Sequence, residues 1–141
     1  MDKVFAAFTL ATGCAASGME TTMFFTFWGL KAIQKGNLTG QGFFGCMVGV
    51  MNRGGIERVG PSRFGGVGRW MFKKMMRDKG VNPLSDLLQA AIDLEVEMRA
   101  CKTSMDVMEI RREDLIDAVA SIAGVASMLK DAAESQVQFF I

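Results

Sequence analysis

The clearest pattern in the chain lies at residues 96–101. Apolar Val96, Met98 and Ala100 alternate with charged Glu97 and Arg99, a period of two that predicts a half-buried strand. Thr103, Ser104 and Asp106 follow, all turn or helix N-cap types. Cys101 is therefore expected at the C-terminal tip of a strand, directly before a helix. Helical spacing appears elsewhere. Val4, Phe5, Phe8, Ala11, Thr12 and Ala15 predict a helix over 2–18, with Asp2 near its positive end and Gly18 as C-cap. The β-branched and aromatic run at 21–27 reads as a parallel strand covered on both faces, followed by a short helix through Lys35.

Asn82-Pro83 opens a helix whose core face is Leu84, Leu87, Leu88, Ala91 and Ile92. After Cys101 the pattern predicts a short helix over 104–108, a helical stretch at 111–117 and a strand near 119–122. A helix over 124–135 and a terminal strand at 137–141 complete it. Strands alternating with helices imply βαβ units, hence an α/β layered fold with a mostly parallel sheet of four to five strands flanked by helices. The first helix has no strand before it, whereas such folds normally start on a central one. The expectation is either an upstream strand or a sheet that manages without it.

Residues 36–68 break the pattern. Eleven of the sixteen glycines fall there, among Phe43, Phe44, Met47, Val48, Val50 and Met51. Core helices do not tolerate that glycine density, and a connection this long is usually functional or disordered. The chain is expected to be one domain, 1–141, carrying this stretch as a glycine-rich insert. The apolar part, 43–51, is about half the roughly twenty residues a spanning helix needs. It reads as a lid, an oligomer contact or a shallow membrane-surface contact. Residues 53–79 are basic, with eight Lys and Arg against Glu57 and Asp78, and 68–79 should be helical. That run is either a solvated face or a docking surface for an acidic or membrane-associated partner. The pairs Gly54-Gly55 and Gly65-Gly66 lack the spacing of a phosphate-binding loop.

Composition narrows the chemistry. A length of 141 residues suits one domain, and half of the residues are hydrophobic. A net charge of +1 does not mark a nucleic-acid binder. The chain contains no histidine, which excludes Ser-His and Cys-His catalytic pairs, histidine metal ligands and a histidine pH switch. Its three cysteines, Cys14, Cys46 and Cys101, are far apart and form no C-x-x-C pair. They build neither a disulfide framework nor a four-ligand zinc site within one chain. No metal or cofactor is expected, and a reducing cytoplasm fits best, with no signal peptide at the start. The twelve methionines read as core gap filler rather than as a copper site.

Ligands of open α/β sheets bind outside the carboxyl ends of the strands, so Cys101 is the candidate working atom. A thiol there meets the partial positive charge of a helix start and the adjacent Lys102. Thr103, Ser104 and the backbone N–H groups after Cys101 could hold an anion on its sulfur. Buried cysteine also behaves as a small hydrophobe, and that reading stands beside the reactive one. Cys14, among small residues of a helix, is expected to be packing. Trp28 and Gly29, after the first strand, and Met105, after Cys101, are the pocket-lining candidates. Trp28 reads first as a packing aromatic.

Several stretches together resemble the DsrE/DsrF-like family. They are Ala11-Thr12-Gly13, Gly18-Met19-Glu20, the run Phe24-Phe25-Thr26-Phe27-Trp28-Gly29-Leu30, the block from Ala100-Cys101-Lys102 to Val107-Met108, Arg112-Glu113-Asp114-Leu115-Ile116, Gly124-Val125-Ala126 and the ending Phe139-Phe140-Ile141. The nearest branch is the one labelled sulfurtransferase or peroxiredoxin-like, and the similarity spares roughly 36–60. The resemblance implies a flavodoxin-like fold and a role in intracellular sulfur trafficking, with Cys101 at the position of the sulfur-carrying cysteine. It implies partners of the TusA-type sulfur carrier or rhodanese kind, and a homo-oligomer. The first strand of the family, before Asp2-Lys3, is missing from these 141 residues, and the glycine-rich insert is a further departure.

Overall fold

The computed structural model describes residues 2–36 and 83–141. The glycine-rich insert beyond Gly36, the apolar 43–51 stretch, the basic 53–79 run, the expected 68–79 helix and Cys46 lie outside the described residues. Helix α1 (Asp2–Ala16) leads to strand β1 (Thr22–Phe25) and a 3-10 helix (Phe27–Ile33). Helix α2 (Leu84–Asp93), strand β2 (Glu97–Cys101) and the short helix α3 (Lys102–Val107) follow. The chain then makes a 3-10 turn (Arg112–Asp114), strand β3 (Val119–Ala123) and helix α4 (Val125–Glu134).

The described strands form one parallel sheet in the order β1-β2-β3, and helices flank it: this is an α/β layered fold. Phe25 sits opposite Ala100, and Cys101 opposite Ala123. Met98 pairs with Val119 but Arg99 with Ser121, so Ala120 is the extra residue of a bulge. The alternation in β2 works as the sequence pattern requires. Met98 and Ala100 are buried while Glu97 and Arg99 are half-buried.

The core forms where α1, α2 and the 3-10 helix meet one face of the sheet. Phe8 and Ala11 of α1, Phe25, Leu30, Ile33, Leu84, Ala91, Val96, Met98, Ala100, Leu115 and Val119 are its buried members. α1 packs against α2, because each has an apolar stripe at helical spacing and no other way to bury it. The end of α1 is a Schellman motif. Met19 N–H donates to the Cys14 carbonyl at 3.2 Å and Gly18 N–H to Ala15 at 2.9 Å. Gly18 takes a φ of +81°, which a Cβ would strain. α2 and α3 end the same way, but with Glu95 (φ +56°) and Glu109 (φ +52°) at the left-handed position.

The structure corrects three local expectations. The 111–117 stretch is only a three-residue 3-10 turn, held by Arg111 N–H donating to the Asp114 carboxylate at 2.9 Å. Residues 137–141 do not form a strand; Phe139, Phe140 and Ile141 are exposed, Phe140 to 94%. They have no sheet neighbour among the described residues, so their β propensity finds no partner. Three strands of the sheet lie among the described residues. β1 is not covered on both faces, since Thr22 is exposed and only Phe25 is fully buried.

Candidate functional site

β2 is the middle strand of the described sheet, and Cys101 is its last residue. Its backbone is still extended (φ −72°, ψ 117°) and it occupies the N-cap position of α3. Thus the predicted placement, strand tip before a helix start, is the one adopted. The thiol itself is closed off: Cys101 is only 3% exposed. On either side lie the ends of the neighbouring strands, with Thr26 and Phe27 after β1 and Gly124 after β3.

The other candidates separate. The face of α3 turned inward carries Ser104 and Met105; Lys102 and Thr103 face solvent. Lys102 spends its ammonium on an ion pair with Asp106, one turn along. Ser104 is 1% exposed and its Oγ has no hydrogen-bond partner among the described residues. A buried hydroxyl left unpaired costs about 1–3 kcal/mol, so its position beside Cys101 on the same helix turn has a physical cost that invites a functional reason. Met105 is buried and lines a depression of about 300 Å³ with Asp106, Glu109, Ile110 and Arg111. Trp28 and Gly29 are not among its described lining residues. Trp28 is 63% exposed, so it is not the core aromatic expected from its composition. The reason is local. Phe27 has a φ of +38°, strained for an aromatic residue, and this turn sends Phe27 and Trp28 outward while Leu30 takes the core position. A methyl group on Gly29 would meet only Phe25 Cδ1, at 3.9 Å. Cys14 is half-buried in α1, as a packing residue would be.

Two polar groupings were not anticipated. The first lies on the sheet face opposite the core. Arg99 Nε and Nη2 donate to the two oxygens of Glu97, each at 2.8 Å, and Nη1 to Asp131 of α4. The bidentate pair holds the Glu97 carboxyl below its usual range, with help from the Thr22 hydroxyl. The signal was present, since alternation puts Glu97 and Arg99 on one face; the partner from α4 was not legible. A carboxylate whose folded-state pKa is depressed stabilises the fold above its ordinary value, 4.5, and loses that contribution as pH falls through the folded value. Urea unfolding from pH 7 to pH 3 should therefore show stability falling below about pH 4.5, and less steeply in Arg99→Met. Equal slopes in the two proteins would exclude the pair as a contributor.

The second grouping is Lys31 of the 3-10 helix and Gln34, its extended C-cap residue, both buried like Leu30, Ala32 and Ile33. The whole run Leu30, Lys31, Ala32 and Ile33 is buried, so Lys31 is covered along with its apolar neighbours. Burial pulls the Lys31 ammonium below its ordinary pKa, and Asp114 only partly offsets that.

Taken together, the described residues form a parallel α/β sheet with Cys101 at the tip of its middle described strand. The DsrE/DsrF/DrsH-like family model matches residues 1–140, and the chain belongs to that family. It is 38% identical over 144 residues to the uncharacterized protein YrkE of Bacillus subtilis, covering 99% of this chain and 89% of YrkE. It is 30% identical over 146 residues to the sulfur carrier protein DsrE2 of Allochromatium vinosum, covering 100% of this chain and 91% of that one. No helix among the described residues is long and apolar enough to cross a membrane.

Proposed function

We propose that the protein is a sulfur carrier that holds sulfane sulfur on Cys101 and passes it to a partner thiol. The placement of Cys101 at the strand tip and helix start supports this reading. So do membership of the DsrE/DsrF/DrsH-like family and the similarity to a protein named as a sulfur carrier. In the loading step the Cys101 thiolate attacks the outer sulfur of a donor persulfide, R–S–SH. A bond forms from Cys101 Sγ to that sulfur, the donor S–S bond breaks, and its electron pair leaves with the donor as thiolate. The products are Cys101–S–SH and R–S⁻. The same exchange then hands the sulfur to the acceptor thiolate. Neither step needs an acid–base histidine, because thiolate and access set the rate. Ser104 Oγ–H and the N–H groups of the first turn of α3 stabilise the persulfide anion, with Thr103 and Lys102 at the outer edge. Because Cys101 is enclosed, loading requires local opening of α3 or a docked partner. Donor and acceptor are thiol proteins of the TusA-type carrier or rhodanese kind, in a reducing compartment such as the cytoplasm.

Mass spectrometry after incubation with polysulfide tests the reading. A gain of about 32 Da per sulfur atom is expected on the Cys101 peptide. Modification confined to Cys14 or Cys46 would reject it and leave the alternative, a non-enzymatic module that docks an acidic or membrane-associated partner through 53–79.

The carrier works as a homo-oligomer. α4 has no buried residue, Val125 and Leu129 on it are exposed, and so are Val137, Phe139 and Phe140 in the segment that follows it. Clustered apolar surface of this kind marks interfaces. Sedimentation at micromolar concentration should give more than the 15.4 kDa of one chain; a clean monomer would contradict the assembly.

A further inference from the structure

Phe27 and Trp28 combine two features that the fold leaves unexplained. Both are large and apolar, yet they are 53% and 63% exposed. Phe27 also holds a φ of +38°, which strains a bulky residue and which glycine would take freely. The core does not use the pair. The 3-10 helix that they open is buried only from Leu30 to Ile33, and neither aromatic belongs to the core cluster. Backbone strain kept where packing gives no return points to a functional role.

Their place is the end of the sheet that carries Cys101. β1 and β2 run parallel, with Phe25 opposite Ala100. The next residues, Thr26 and Cys101, are both still extended, at φ −121°, ψ 154° and φ −72°, ψ 117°. They therefore leave the two strands side by side. With strands about 4.8 Å apart and about 3.8 Å between successive Cα atoms, the Phe27 backbone stands within about 10 Å of that of Cys101. The elements that start on the two residues also meet: α3, which follows Cys101, packs against the 3-10 helix, which begins at Phe27.

Sulfur exchange brings the partner's sulfur to bonding distance of Cys101 Sγ, so the partner has to cover this end of the sheet. Cys101 is 3% exposed, and the approach has to loosen α3 as well. A protein that buries two aromatic side chains here gains contact area toward that opening, because large aromatics are the usual anchors of interfaces. A polysulfide of a few atoms cannot cover both rings and reach the thiol.

We propose that Phe27 and Trp28 are the specificity-determining anchor for the sulfur-exchange partner of Cys101, a protein that presents its own reactive sulfur beside an apolar recess able to take an indole ring. This rests on the carrier reading and adds to it a choice of protein donors over free polysulfide.

The test compares loading of Cys101 from inorganic polysulfide with loading from a persulfide-loaded rhodanese and from a persulfide-loaded TusA-type carrier, each read by mass on the Cys101 peptide. At least one protein donor should load the wild type with saturation kinetics. Trp28→Ala should lower the rate from that donor, relative to the rate from polysulfide, by at least tenfold, chiefly as a rise in KM. Phe27→Gly should do the same, with a glycine that accepts the positive φ and so keeps the turn. Trp28→Phe should restore most of the loss. Equal losses with both kinds of donor, as a merely structural role would give, overturn the proposal. So does a protein donor whose loading neither variant affects. A wild type that polysulfide loads and neither protein donor loads overturns it too. If polysulfide itself leaves Cys101 unmodified, the carrier reading fails and this anchor falls with it, so the two failures are told apart.

Discussion

Cys101→Ser is expected to take no sulfur from polysulfide, while Cys14→Ala and Cys46→Ser load as the wild type does. The substitution removes the only atom that can attack sulfur at the strand tip and changes the shape of the side chain very little. It should therefore separate chemistry from folding. A small stability loss is expected nonetheless. Cys101 is 3% exposed, and a serine hydroxyl there would be a second unpaired one close to that of Ser104, which costs about 1–3 kcal/mol. Near-native circular dichroism together with complete loss of the adduct on peptide 101 is the expected pair of results. If the adduct persists and tracks with Cys46, the assignment of Cys101 is wrong. Enclosure adds a kinetic expectation. Iodoacetamide should label Cys14, which is half-buried on α1, faster than Cys101 in the native protein. Mild urea should speed labelling of Cys101 more than that of Cys14, since Cys101 reacts through opening.

The position of Cys101 was legible in the sequence because two local signals agree there. Period-two alternation in 96–100 stops where the N-cap residue types begin, and each signal depends only on neighbours in the chain. The same holds for α1, whose apolar spacing and Gly18 set both its face and its end. What failed depended on distant partners or on unusual backbone. The 137–141 stretch has strand composition, but composition does not supply a neighbouring strand. Trp28 was read as core because large aromatics bury well; the positive φ of Phe27 turns it outward instead. The burial of Lys31 and Gln34 was not legible because charged and amide side chains predict solvent, whereas here the whole stretch 30–34 is covered. The burial of Cys101 was also invisible, because strand and helix patterns locate a residue along the chain and not its cover. The resemblance to the DsrE/DsrF-like family, by contrast, rested on short blocks read together, and the family match over 1–140 agrees with it.

Phe8→Ala should be the most destabilising single substitution among those considered. Phe8 is fully buried in α1 and meets Phe25 of β1, with ring centroids 6.0 Å apart and planes tilted by 38°. Removing a buried phenylalanine side chain costs about 3–5 kcal/mol from lost transfer energy and the cavity left behind. The aromatic pair adds about 0.5–1.5 kcal/mol that an aliphatic contact would not supply. Against a total of about 5–15 kcal/mol for a domain, that is a large share. In urea the midpoint should fall strongly while the slope stays unchanged, the mark of lost stability rather than a different unfolded state. A double-mutant cycle with Phe25→Leu should return a coupling of about 0.5–1.5 kcal/mol, because the two rings touch. The loss should also reach the candidate site. Phe25 stands opposite Ala100 in the sheet, and Ala100 precedes Cys101, so a loosened α1–β1 contact frees the strand end that encloses the thiol. Labelling of Cys101 in Phe8→Ala should therefore quicken before the protein unfolds globally. If its labelling rate rises only in step with global unfolding, α1 supports the fold as a whole and has no separate hold on the site.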